Sequence, residues 1–159
     1  MKTAFFLMLT LFLTGSPALA QLNVVVSADS HCGTAPNGQT LQLPAGTHEI
    51  TLDGAYSVWS SDISNNGNTW ITGVRAHISG APDDELLYAE SSWQSTPELA
   101  AAEVSGMVFD LSLTTDTDVT FYVFDAGCGD NRGSVTVTVN VPTVAVDQSD
   151  WGLIKRLYR

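Results

Sequence analysis

Oxygen-bearing side chains gather in one short stretch of this chain. Between Phe121 and Asn140, the run Phe-Tyr-Val-Phe-Asp-Ala-Gly-Cys-Gly-Asp-Asn-Arg-Gly-Ser-Val-Thr-Val-Thr-Val-Asn sets Asp125, Asp130 and Asn131 among Gly127, Gly129, Gly133 and Cys128. Carboxylates and an amide carbonyl are hard oxygen donors, and glycines allow the positive φ that turns loop carbonyls inward. Calcium takes six to eight such oxygens in a flexible, mixed set. Asp, Asn and Gly are also ordinary turn formers, so the residues by themselves leave a cation cradle and a metal-free turn both open.

The segments on either side of this loop read as strands. Ser134 to Val141 alternates strictly, with Val135, Val137, Val139 and Val141 on one face and Ser134, Thr136, Thr138 and Asn140 on the other, the pattern of a half-buried strand. Val119–Asp125 carries apolar groups on both faces, and the two are expected to be adjacent antiparallel strands with the loop as an overlong hairpin connection. Met107, Phe109, Leu111 and Leu113 alternate with polar residues. Further strands are expected at Asn23–Ala28, Thr40–Leu43, His48–Leu52, Ala55–Trp59, Trp70–Ile78 and Leu86–Ala89. Short strands separated by Gly, Asn, Asp and Pro turns predict an all-β protein, an antiparallel β-sandwich of the jelly-roll or galactose-binding-like kind. Ser95 to Glu103 breaks the pattern. Capping residues, Pro97 and Glu98 precede good helix formers there, so one short helix is expected.

Residues 1–20 carry Lys2, an apolar run from Ala4 to Leu13 broken by Thr10, helix breakers at Gly15 to Pro17, and Ala-Leu-Ala before Gln21. This is the pattern of a secretory signal peptide, and the run is too short to span a bilayer. The expected location is secreted, periplasmic or cell-surface. In an oxidising compartment the two cysteines, Cys32 and Cys128, are most simply read as one disulfide, worth about 4–5 kcal/mol in the chain-entropy picture. A zinc pair with His31 is the rival, but no C-x-x-C or spaced histidine pair completes it.

Seventeen acidic residues face six basic ones, a net charge of −11. Lys2 lies in the leader, and Lys155, Arg156 and Arg159 lie at the C-terminus, so the body between holds only Arg75 and Arg132. Such a body repels nucleic acid and anionic membranes. It suits divalent cations and neutral ligands, and the acidity also serves solubility.

The division expected is a leader over 1–20, a sandwich domain over 21–146, and a polar linker with a basic tail over 147–159. In the tail, Ser149 and Asp150 can cap a short helix with Trp151, Ile154 and Tyr158 on one face and Lys155 and Arg159 toward its end. A helix of that length needs something to dock on. The tail is similar to the short Trp-Gly-x-Ile-Lys-x-x-Tyr-Arg ends of some exported bacterial proteins, which implies a recognition role for Trp151, Lys155, Tyr158 and Arg159 in sorting or processing. A frayed terminus is the plain alternative.

A wider resemblance covers most of Val24 to Val141. Phe124-Asp125 followed by Asp130-Asn131-Arg132-Gly133-Ser134-Val135-Thr136-Val137 resembles the calcium-binding segment of the bacterial PA-IL-like galactophilic lectins. Glu49 to Val58 is similar to the strand-Gly-turn segment of that family, as are Gly38–Leu41 and Thr72–Ala76 to further parts. The resemblance implies a β-sandwich, calcium held by the side chains of Asp125, Asp130 and Asn131 and by the carbonyls of Gly127 and Val58, and sugar hydroxyls on the ion near Asp125 and Asn131. The chain departs from the family in having Asp130 for an Asn, a loop two residues shorter with Cys128 in it, and Ser60 to Thr69 in place of the sugar-contacting His/Gln segment. Tyr56 and Trp59 are the aromatic candidates for a sugar face.

No G-x-S-x-G, H-E-x-x-H or P-loop is present. A carboxylate pair such as Asp83 and Glu85 reads as solvated surface, and His31, His48 and His77 are scattered. The function expected is non-catalytic, calcium-dependent carbohydrate binding. A structural or adhesive surface module, with the tail as its anchoring signal, is the reading from another class.

Overall fold

The computed structural model describes residues 19–58, 69–81, 90–125 and 127–142, with the backbone of 85–88. Residues 1–18 of the leader expected over 1–20, Trp59 with the 60–68 segment, Asp83, and the tail with Trp151, Lys155, Tyr158, Arg159 and its expected helix lie outside the described residues.

Among the described residues nine strands run in order: β1 (Leu19–Ser27), β2 (Gln39–Leu43), β3 (Gly46–Ser57), β4 (Trp70–Ile71), β5 (Val74–Ile78), β6 (Glu85–Tyr88), β7 (Phe109–Leu113), β8 (Thr117–Tyr122) and β9 (Arg132–Pro142). The helix α1 (Pro97–Val104) separates β6 from β7. All strand pairings are antiparallel and form two sheets. One runs β1-β9-β3-β4, with β7 also on β3; the other runs β2-β8-β5-β6. The all-β expectation holds. Both sheets feed one hydrophobic core: Val26, Ile50, Val135, Val137 and Val139 from the first meet Leu43, Val74, Ala76, Val119 and Phe121 from the second. The β9 alternation behaves as its sequence demands, with Val135, Val137 and Val139 fully buried and the Ser, Thr and Asn between them only partly so.

Three strand expectations are corrected. First, β8 and β9 are not a hairpin. They belong to different sheets, and the Asp125-to-Asn131 segment carries the chain from one sheet to the other. That crossing, rather than an ion alone, is sufficient reason for its length. Second, Gly54 does not end a strand. β3 continues through it to Ser57, in unbroken register with β9 from Glu49↔Asn140 to Ser57↔Arg132. Gly54 at φ +89° and Gly133 at φ +88° lie on either side of the Ala55↔Ser134 rung of that ladder, where a side chain on either would strike the facing backbone at 2.6 Å. Third, the Trp70–Ile78 strand breaks at Thr72-Gly73. Thr72 exchanges backbone and side-chain hydrogen bonds with Ser91 and donates its hydroxyl to the Gly54 carbonyl at 2.7 Å. β4 thus stays in the first sheet while β5 joins the second.

α1 begins where the capping signal falls. Thr96 is the N-cap, accepting from the Leu99 N–H, and Pro97 opens the first turn. β3 pairs with β7 over Gly46–Ile50 and with β4 over Tyr56–Ser57, and α1 packs against β3 and β4, burying Ala100 and Val104. Glu103 fastens it. Its carboxylate accepts from the Ser92 N–H at 2.7 Å, from the Ser92 hydroxyl and from the Gln94 amide. The Ser92 hydrogen bonds above all hold this carboxyl below the ordinary glutamate range near 4.5. A folded-state value below the unfolded one makes the contribution complete above the unfolded value and lost as pH falls through the folded one. Unfolding measured across acid pH should therefore show stability falling below about pH 4.5 in the wild type, and a shallower fall in Glu103→Gln; identical slopes would show that Glu103 is uncoupled from folding.

Candidate functional site

The chain leaves β1 and β8 at the same end of the body, and there the two cysteines meet. Val123 lies beside Cys32 in a single parallel bridge, its N–H donating to the His31 carbonyl at 2.9 Å and its carbonyl accepting from Gly33 at 3.0 Å. This pairing brings Cys32 to Cys128, which form a disulfide with Cα atoms 5.9 Å apart. The two cysteines close the expected pair, and both are used, so neither remains for zinc. His31 is occupied as well: its Nδ1 accepts from the Ser27 N–H at 3.0 Å, and its Nε2 faces the Gln39 amide at 2.6 Å. The Asn37 amide donates to the Cys32 carbonyl at 3.1 Å.

After Cys128 a 3-10 turn runs to Asp130, and Asn131 follows with its N–H on the Cys128 carbonyl. Asn131 is 8 % exposed. Its side-chain amide donates to the Ala28 carbonyl at 3.0 Å, while the Ala28 N–H donates to the Gly133 carbonyl. A carbonyl can only accept, so Nδ2 must face Ala28, and the orientation of the amide is thereby fixed. Oδ1 then points the other way, buried and with no hydrogen-bond partner among the described residues. Leaving a buried acceptor unpaired costs about 1–3 kcal/mol, and an oxygen of this kind is suited to a cation or a water.

The other expected ligands differ in burial. Asp125 is half-buried, Val58 is half-buried just past β3, and Gly127 and Asp130 are exposed. Among the described residues no group of three or more His, Cys, Asp or Glu stands together as a metal cluster.

Beside this loop is a cleft of about 80 Å³ lined by Tyr56, Gly73, Val74, Arg75, Glu90 and Phe124. It has room for a few waters or one protruding polar group of a ligand. Tyr56, read from the sequence as a sugar contact, is 7 % exposed. Burial first, then the Glu90 and Asp125 carboxylates, push its phenol well above the usual range, so it remains a neutral hydroxyl. Phe124 is 56 % exposed, and the Arg75 guanidinium lies 3.4 Å from its ring centre. Arg132 takes a similar position 5.0 Å from the Trp70 ring. Both body arginines therefore stack on aromatic rings near this end. Sequence reading names Arg75 for its charge and Phe124 in the Phe124-Asp125 match, but neither as a site residue, and it does not name Glu90. The one signal available was Phe124 itself, a large apolar residue two positions past β8 and just before Asp125. No family model, no curated protein and no solved structure matches the chain.

Proposed function

We propose that the chain is an exported, non-catalytic β-sandwich module that binds calcium at its disulfide end and there takes carbohydrate. The observation that carries this reading is Oδ1 of Asn131, a buried oxygen whose direction is dictated by the amide bond to Ala28 and which lacks a described partner. The shared core of the two sheets supports the sandwich, and the disulfide together with the absence of a membrane-crossing helix among the described residues accords with export.

The residues fit calcium in part. Asn131 would supply one prepared oxygen and Asp125 and Asp130 the negative charge, with the carbonyls of Gly127 and Val58 completing the set, as the PA-IL-like resemblance implies. When bound, the ion supplies a positive centre that can accept sugar hydroxyls as ligands. The protein's own share is positional. The Cys32–Cys128 bond and the Val123 bridge hold the loop before any ligand arrives, which reduces the ordering entropy that binding must overcome. Tyr56 and Glu90 offer a hydroxyl and an acceptor in the cleft, and the exposed Phe124 ring offers an apolar face for sugar C–H groups.

Calcium should raise the melting temperature of the oxidised protein in a concentration-dependent way, because a ligand that binds only the folded form stabilises it. Asp125→Asn should remove most of that shift while leaving melting in EDTA unchanged. Galactose and a panel of galactosides should then bind in calcium and not in EDTA. No shift up to millimolar calcium would sink the calcium reading and leave a disulfide-fixed crossover in a structural or adhesive module.

A further inference from the structure

We infer that the chain forms a two-fold dimer by antiparallel pairing of β1 with β1 of a second copy. β1 is an outer strand of its sheet, hydrogen-bonded only to β9 among the described strands. All nine residues are in unbroken register with that partner, from Leu19↔Pro142 to Ser27↔Ser134. A regular ladder on one side leaves an equally regular row of backbone N–H and C=O groups on the other, a template for a further strand.

Proteins normally protect such an edge with charge, proline, a bulge or shortness. The other outer strands here are protected in these ways. β2 has five residues and is closed by Pro44, β4 has two, β6 has four and opens on Glu85, and β7 has five and carries Asp110. β1 is the longest of these edges and the undefended one: even without Leu19 and Ala20, which fall in the expected leader, Gln-Leu-Asn-Val-Val-Val-Ser over residues 21–27 has no charged side chain and no proline. Leu22 is 36 % and Val25 54 % exposed. They sit on opposite faces of the strand by the two-residue alternation, so one added strand would cover both.

Charge selects the partner. A chain of net charge −11 resists its own copies over most of its surface. β1 and its neighbour β9 together carry one charge, Arg132, at the far end of β9. This strip is where two identical acidic bodies can approach without like-charge contact. Self-pairing about a two-fold axis near Val24 sets Asn23 against Val25 and Leu22 against Val26, all neutral residues of high or tolerable strand propensity.

The test is sedimentation velocity on the oxidised protein as its producing cell leaves it, with the N-terminus read by mass spectrometry. The expected result is a concentration-dependent dimer at micromolar protein, with β1 amides more protected from hydrogen exchange at high concentration than at low. Val25→Glu places like charges across the two-fold and should weaken the dimer on the order of tenfold or more. Because residue 25 is exposed, the melting temperature of the dilute monomer should not change. A wild-type protein that stays monomeric at the highest soluble concentration overturns the inference. So does a dimer that Val25→Glu leaves intact, since that dimer would use another surface.

Discussion

Replacing Cys32 and Cys128 together by alanine should lower the unfolding free energy by about 4–5 kcal/mol, among the largest effects available to two substitutions in this chain. The bond spans 96 residues, so the unfolded chain is held in a loop covering most of the described protein. Removing it frees that ensemble, and the urea m-value should rise as the unfolded state exposes more surface. Urea unfolding of the oxidised protein, the reduced protein and the double variant separates the causes. Reduced and double-variant proteins should agree to within the small packing term at Cys32, which is fully buried. A change below about 1 kcal/mol would mean that the loop entropy is not what the bond controls.

Gly133→Ala should destabilise by about 3 kcal/mol or more, through two effects that add. The residue sits at φ +88°, which a side chain disfavours by about 1–2 kcal/mol. Its new Cβ would also lie 2.6 Å from the Ala55 carbonyl oxygen, 3.0 Å from Trp70 Cζ3 and 3.1 Å from Tyr56 Cα. Two of those three neighbours are backbone, which yields only if the β3–β9 ladder opens. Overpacking of that kind adds about 1–3 kcal/mol. Gly106→Ala is the control, with a similar φ of +78° and nothing within 4 Å of the added carbon. It should show the dihedral effect alone. Equal losses at the two sites, measured by urea unfolding, would show that the facing backbone gives way freely.

What the sequence made legible was whatever depends on local alternation or local caps. The valines of β9 face inward because period two is a property of the strand itself, and Thr96-Pro97 opens a helix because capping is settled within four residues. The disulfide was legible because two cysteines, in a chain that opens with a leader-like pattern, admit one simple pairing. Sheet membership was not. β8 and β9 look like hairpin neighbours, and nothing in Val119 to Val141 records that their partners are β2 with β5 and β1 with β3. Gly54 reads as a turn from its own type, yet it is held in a strand by close approach to Ser134, eighty residues away in the chain. The site divides in the same manner. Asp125, Asp130 and Asn131 were visible as oxygen-bearing types, but the fixed direction of the Asn131 amide depends on the Ala28 carbonyl, more than a hundred residues earlier. Glu90 joins Arg75 and Phe124 only through the packing of segments distant in sequence.

The pairing of Leu19 with Pro142 and of Ser27 with Ser134 sets how the body would bear load. Both ends of the described chain emerge at one end of the β1–β9 ladder, and the disulfide stands at the other, about 30 Å off at some 3.4 Å per residue. Tension between tethers on the two ends would meet the rungs in succession, which with the expected leader removed begin with Gln21 from Asn140, then Leu22 from Val139. This is peeling, which breaks one rung at a time, rather than shear, which strains all of them together. The body would thus yield softly from its anchored end, while the Asn131 end stayed closed until the peel reached Ser27 and the force came to rest on the covalent bond between Cys32 and Cys128.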